Sequence, residues 1–170
     1  MSLNWWSIFV VLAIATVWDI AQRRIPNWLV VPFLAAGLAW SGWHQGVKGL
    51  ELSLGGMAVA ALMVGPMCWL GGMGMGDLKL CAGIGAWIGP GQLFFALIMT
   101  AIAGGIIGVG YAIAHRSLGR SLNTTGDLVA SRFRGAPRHL ASLDNAAGLS
   151  IPYAPAIAVG TIFAFFASRG

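Results

Sequence analysis

The sequence predicts an all-α fold: a single membrane-embedded domain over residues 1–170, polytopic, with about six transmembrane helices. Three observations lead there. The chain is 58% hydrophobic and only 9% charged, whereas soluble domains carry roughly 25% charged residues. Its mean hydropathy is +0.79. Its apolar residues also gather into runs near the ~20 residues a helix needs to cross hydrocarbon. Open strands cannot cross, because their edge backbone groups would stay unpaired in lipid.

The first segment, 4–21, follows an N-terminus with no basic residue, so a retained helix is expected rather than a cleaved signal peptide. The second, 28–43, opens after Ile25-Pro26-Asn27, with proline where helices ordinarily begin. The third covers 52–70. The fourth, 78–88, is short for a span and calls for tilt or local thinning. The glycine-rich run before it, from Gly71 to Gly76, is expected to enter the membrane as irregular backbone, which requires burial in protein or a wet cavity. The fifth covers 93–114 and the sixth 151–167. Most of the 25 glycines suit close helix packing in lipid. Between the last two segments lies a polar, turn-rich stretch at about 115–150. It is either a solvated basic loop that sets topology or the carrier of a short amphipathic helix at 127–133 on an anionic leaflet.

Six spans divide the Lys and Arg residues unevenly. Eight fall in the loops after odd-numbered spans: Arg23, Arg24, Lys79, Arg116, Arg120, Arg132, Arg134 and Arg138. Lys48 and Arg169 fall on the other side. That bias puts the odd loops in the cytoplasm and both termini outside. The net charge of +5 therefore reads as membrane orientation, with lipid as the partner and no nucleic acid. Cys68 and Cys81 form no CxxC pair, so neither a metal site nor a disulfide is expected, and no cofactor is implied.

Of the five acidic residues, Asp19 and Asp77 lie at span ends on the same predicted side. Glu51 falls outside, and Asp127 and Asp144 fall in the loop. A carboxylate beside a bilayer-length segment is a functional-site candidate by its cost alone. Each also has a structural alternative. Asp19 could pair with Arg23 four residues on along a helix surface, and Asp77 could N-cap the fourth helix. Taken together, two neighbouring carboxylates sharing one proton make an acid–base pair for amide hydrolysis. The ionised one takes a proton from water while the protonated one polarises the scissile carbonyl. Gly74 and Gly76 would let the backbone turn and come close to a substrate strand.

These residues resemble a family. Gly74-Met75-Gly76-Asp77 looks like the GxGD motif of membrane aspartic peptidases, and Lys79 fits its GxGDxK form. Asp19 followed by Ile25-Pro26-Asn27 resembles the first catalytic motif of type IV prepilin peptidases. Ile151-Pro152-Tyr153-Ala154-Pro155 is similar to the PFGP stretch that opens the family's last helix, with Tyr153 and Ala154 departing from it. The resemblance implies catalysis by Asp19 and Asp77 without a metal. Gly74, Gly76, Lys79, Ile25, Pro26, Asn27, Pro152 and Pro155 are the supporting motif positions. It implies cleavage of a short basic leader from a prepilin or pseudopilin at the cytoplasmic face of the bacterial inner membrane. Larger members carry an N-terminal segment with paired CxxC motifs and also methylate the new N-terminus. This sequence shows no such segment and resembles the short, peptidase-only form of Flp or tight-adherence pili. Other readings are an intramembrane protease of the same GxGD class, a small proton-coupled transporter, and a non-catalytic pilus-assembly factor.

Overall fold

In a computed structural model of the chain, residues 3–22, 24–70, 73–114 and 153–168 are described. These residues are all helical apart from short connections. The helices are α1 (Leu3–Gln22), α2 (Asn27–Trp69), α3 (Met75–Ala114) and, here, α4 (Ala154–Ala167). The stretch 115–150, its expected amphipathic helix, and residues Arg23, Gly71, Gly72, Ile151, Pro152 and Arg169 lie outside the described residues.

Three helices are long and apolar enough to cross a membrane, over Trp5–Gln22, Asn27–Trp69 and Met75–Gly108, while α4 is a shorter apolar helix. Their outward faces are apolar too. Val17, Ile20, Leu62, Ile106 and Phe166 are among many large hydrophobic side chains left exposed. A helix that is apolar all round belongs in lipid, and the chain is an integral membrane protein.

A straight α2 would measure about 65 Å, twice the ~30 Å hydrocarbon core. It does not run straight. Gly46 takes φ 62°, ψ −140°, outside helical geometry, and divides α2 into arms 27–45 and 47–69. The arms fold back on each other. Ser41 and Ser53, about 18 Å apart along an unbroken helix, both donate to the carbonyl of Ala86, at 3.2 and 2.6 Å. Gly89 (φ 78°, ψ 178°) divides α3 in the same way, into arms 75–88 and 90–114. Both positions need a positive φ that side-chain-bearing residues rarely adopt.

The expected segments correspond to helical runs with shifted ends. The third run starts at 47 rather than 52, and the fifth at Pro90 rather than Leu93, because a single glycine suffices for each reversal. The fourth starts at Met75 rather than Leu78: the Gly74 carbonyl accepts N–H groups from Asp77 and Leu78, which winds the glycine run into the first turn. The expectation of irregular backbone there is corrected accordingly for 75–76. At about 21 Å the arm 75–88 is short against the hydrocarbon core.

The core forms where α2 lies against α3, α3 against α4, and α1 against α4. Trp5, Ile8, Leu12 and Ala15 are the buried stripe of α1, at alternating spacings of three and four. Trp5 and Phe9 meet Phe165 edge-on at centroid distances of 4.9 and 5.3 Å, so the start of α1 packs on the end of α4. Trp87 donates its indole N–H to the carbonyl of Phe33 at 3.0 Å and ties α3 to α2.

Candidate active site

The buried stripe of α1 does not stop at Ala15. Its next position is Asp19, only 7% exposed. On α3, Leu80, Cys81 and Ile84 form a buried stripe whose first member is Asp77, also 7% exposed. Two apolar seams therefore each end in a carboxylate. Among the described residues, neither is paired with a lysine or arginine; Arg23, the expected surface partner of Asp19, lies outside them.

Each carboxylate is held at the N-terminus of a helix. The Oδ2 of Asp19 accepts the N–H of Ala154, the first residue of α4, at 3.0 Å. This contact joins positions 135 apart in sequence. It satisfies one of the free donors at a helix start, beside Pro155, which has no N–H to offer. The Oδ2 of Asp77 accepts the N–H of Gly74 at 3.2 Å, while the Gly74 carbonyl accepts the N–H of Asp77 at 3.1 Å. Asp77 is thus not the N-cap of α3. It is the third helical residue reaching back to the cap, as in a capping box. The positive ends of both helix dipoles favour negative charge at the pair.

Asp19 and Asp77 are close enough for the charge of one to act on the other. The surrounding motif residues assemble at the same end of the bundle. Gly76 lies against Ile25, and a Cβ at position 76 would come within 3.1 Å of the Ile25 Cβ. Packing on Ile25 thus gives a small residue at 76 a purpose inside the protein. Lys79 does not reach the aspartates. Exposed, it donates to the side-chain oxygen of Asn27 at 3.0 Å and so links the two motifs. Pro26 is the N-cap of α2 (φ −72°, ψ 135°), one position earlier than the first-turn site expected for it, and its carbonyl accepts from Leu29 and Val30. Pro155 is in the first turn of α4, and Pro152 lies outside the described residues. Glu51 is exposed; Asp127 and Asp144 lie outside the described residues.

Three neighbours were not singled out by the sequence. Cys68 donates its thiol to the Gly74 carbonyl at 3.4 Å, steadying the turn before Asp77. Tyr153, the N-cap of α4, is half-buried. The hydroxyl of Thr16, one turn before Asp19, is buried with no hydrogen-bond partner among the described residues. An unsatisfied buried polar group costs about 1–3 kcal/mol, so Thr16→Val is expected to raise the thermal unfolding midpoint in detergent. A lowered midpoint would mean that the hydroxyl has a partner in solution. No group of three or more His, Cys, Asp or Glu among the described residues could hold a metal ion. An open cavity of about 250 Å³, lined by Ser41, Ser53, Gly89 and Gln92, lies at the opposite, hinge end and is remote from this chemistry.

Residues 6–109 match the model of the type IV leader peptidase family. The chain belongs to that family. Among curated relatives, the prepilin leader peptidase/N-methyltransferase of Aeromonas hydrophila is 31% identical over 111 residues, covering 59% of this chain and 37% of its own. The protein of that name from Escherichia coli strain K12 is 31% identical over 113 residues, covering 63% and 48%. The one from Bacillus subtilis strain 168 is 29% identical over 160 residues, covering 91% and 51%. The matched region thus spans between about a third and a half of the length of these leader peptidase relatives. No solved structure matches the chain at a significant level. The family match takes in Asp19, Ile25-Pro26-Asn27 and the Gly74–Lys79 motif.

Proposed function

We propose that this protein is a membrane aspartic endopeptidase that removes the short N-terminal leader of prepilin-like substrates at the cytoplasmic face of the bacterial inner membrane. The observation that carries this reading is the placement of two buried carboxylates, Asp19 and Asp77, each anchored at a helix start and within electrostatic reach of the other. Membership of the leader peptidase family supports it.

The pair holds one proton between its two carboxyl groups, because adjacent like charges in a low dielectric cannot both ionise. The ionised member takes a proton from a water molecule, whose oxygen attacks the scissile carbonyl carbon. The protonated member gives its proton to the carbonyl oxygen, forming a neutral gem-diol. As the diol collapses, one hydroxyl returns its proton to the pair, the C–N bond breaks, and the amine leaves with the other proton. The backbone N–H groups of Ala154 and Gly74 keep the carboxylates aimed throughout.

In this reading the chain crosses the bilayer six times, α2 and α3 twice each through the reversals at Gly46 and Gly89. The aspartate end faces the cytoplasm and both termini face outward. Prepilins with basic leaders, Flp-type ones first, are the substrates to try, and the reading covers the peptidase activity alone. Co-expression with such a prepilin is expected to yield the shortened form by mass spectrometry. Unprocessed prepilin in every combination would overturn the reading. A reporter fused after Ser142 is expected to read cytoplasmic, and a periplasmic signal would invert the topology.

A further inference from the structure

The two aspartates ride on helices that share little direct packing: α1 lies chiefly along α4, and α3 lies against α2 and α4. The distance between Asp19 and Asp77 is therefore set by how the helix ends are joined. The corner from α1 to α2 follows shortly after Asp19, and it is fastened on both sides. On the α1 side, the ring of Trp18, next to Asp19 in sequence, meets that of Trp28 edge-on at 5.7 Å. On the α3 side, Lys79, two residues past Asp77, donates to the side-chain oxygen of Asn27 at 3.0 Å, and Gly76 lies against Ile25. Residues two apart on a helix do not face each other, so the Lys79 side chain leaves the aspartate face and reaches the corner instead. A line of contacts thus runs from the backbone of Asp19, through the corner, to that of Asp77.

We propose that Lys79 is a positioning residue: by hydrogen-bonding Asn27 it holds the α1–α2 corner, and with it Asp19, in working register with Asp77. This rests on the peptidase reading above. The lysine gives no proton to the reaction and acts only through Asn27. A hydrogen bond with an ionised donor is shorter and stronger than a neutral one. There is little slack behind it, because Asn27 is the first residue of α2 and follows Pro26, whose ring fixes its φ. The bulk of the fold does not depend on this contact. Lys79 and Asn27 are both exposed, while α2 and α3 pack through their buried faces. Losing the bond therefore leaves a folded bundle with misaligned carboxylates, and a misplacement of about 1 Å can cost ~10²-fold in rate. A lysine kept only for its charge beside the bilayer would be indifferent to what stands at position 27.

The test is steady-state cleavage of a purified prepilin by the full-length protein in detergent. Lys79→Met and Asn27→Ala each remove the bond, and each is expected to lower kcat by about 10- to 10²-fold. KM should stay within about twofold and the unfolding midpoint should be unchanged. Lys79→Arg keeps a donor and Asn27→Asp an acceptor, so both are expected to stay within about threefold of the parent kcat. Lys79→Met combined with Asn27→Ala is expected to be no slower than the slower single variant, since both break one contact. The inference is overturned by an unchanged kcat in either single variant, a change confined to KM, a loss that follows a lowered midpoint, Asn27→Asp as slow as Asn27→Ala, or losses that multiply in the double variant. Should Lys79→Met give no folded protein, the contrast between Asn27→Ala and Asn27→Asp decides. If the parent cleaves and every variant cleaves equally well, the inference falls and the peptidase reading stands. If the parent cleaves no prepilin, both fall.

Discussion

Asp19→Asn and Asp77→Asn are each expected to lower leader cleavage by at least about 10³-fold, within the range for loss of a general acid or base. Asparagine keeps the shape of aspartate and an oxygen acceptor. Asp19→Asn can still receive the Ala154 N–H, and Asp77→Asn that of Gly74. What each variant loses is the ability to carry a proton. The midpoint of thermal unfolding should therefore move little while turnover collapses. If the carboxylates only capped helices, the same substitutions would leave cleavage within about tenfold of the parent, since capping by asparagine and aspartate is nearly equivalent. The double variant supplies a second check. Residues that act as one unit are not additive, so it is expected to be no slower than the slower single variant. Multiplied losses would mean two independent roles and would remove the shared-proton mechanism.

The other large effect concerns the fold. Gly56 on α2 and Gly85 on α3 meet backbone to backbone. A Cβ at 85 would come within 2.7 Å of the Gly56 carbonyl, and a Cβ at 56 would run into the carbonyl of Gly85. The obstacle is main chain inside a helix, not the end of a flexible side chain, so it cannot step aside. Overpacking typically costs about 1–3 kcal/mol and more where nothing can yield. Against a total stability of roughly 5–15 kcal/mol, Gly56→Ala and Gly85→Ala are expected to give little folded protein after detergent extraction. Gly42→Ala and Gly65→Ala are the controls. Nothing lies within 4 Å of a Cβ at either position, and each is expected to fold at least as well as the parent, since alanine favours helix by about 1 kcal/mol over glycine. Equal yields for all four would mean that α2 and α3 pack by another face.

Much of this was legible in the sequence, because hydropathy and the cost of charge near lipid are written in single residues. The apolar runs located the helices, and the scarcity of acids singled out Asp19 and Asp77. The errors arose where one backbone conformation outweighed composition. His44-Gln45-Gly46 reads as the edge of a loop, yet only Gly46 leaves helical geometry. Gly74-Met75-Gly76 reads as irregular chain, yet Asp77 reaches back to Gly74 and starts the helix there. The hydrogen bond from Ala154 to Asp19 could not be read at all, since nothing in the local sequence links residues so far apart. Tyr153 read as a small departure from a motif. Only the fold makes it the N-cap of α4, next to the N–H that Asp19 accepts.

The two ends of the bundle differ in how they would come apart. At the Gly46–Gly89 end the chain turns back within single residues, and two buried hydroxyls grip one carbonyl. At the aspartate end α1 passes into α2 and α2 into α3 through short connections, and side-chain contacts align them, among them Asp19 with Ala154 and Lys79 with Asn27. Such bonds contribute about 0.5–1.5 kcal/mol each, or up to about 3 when one partner is charged. The carboxylates thus sit at the end whose alignment depends on individual side-chain contacts.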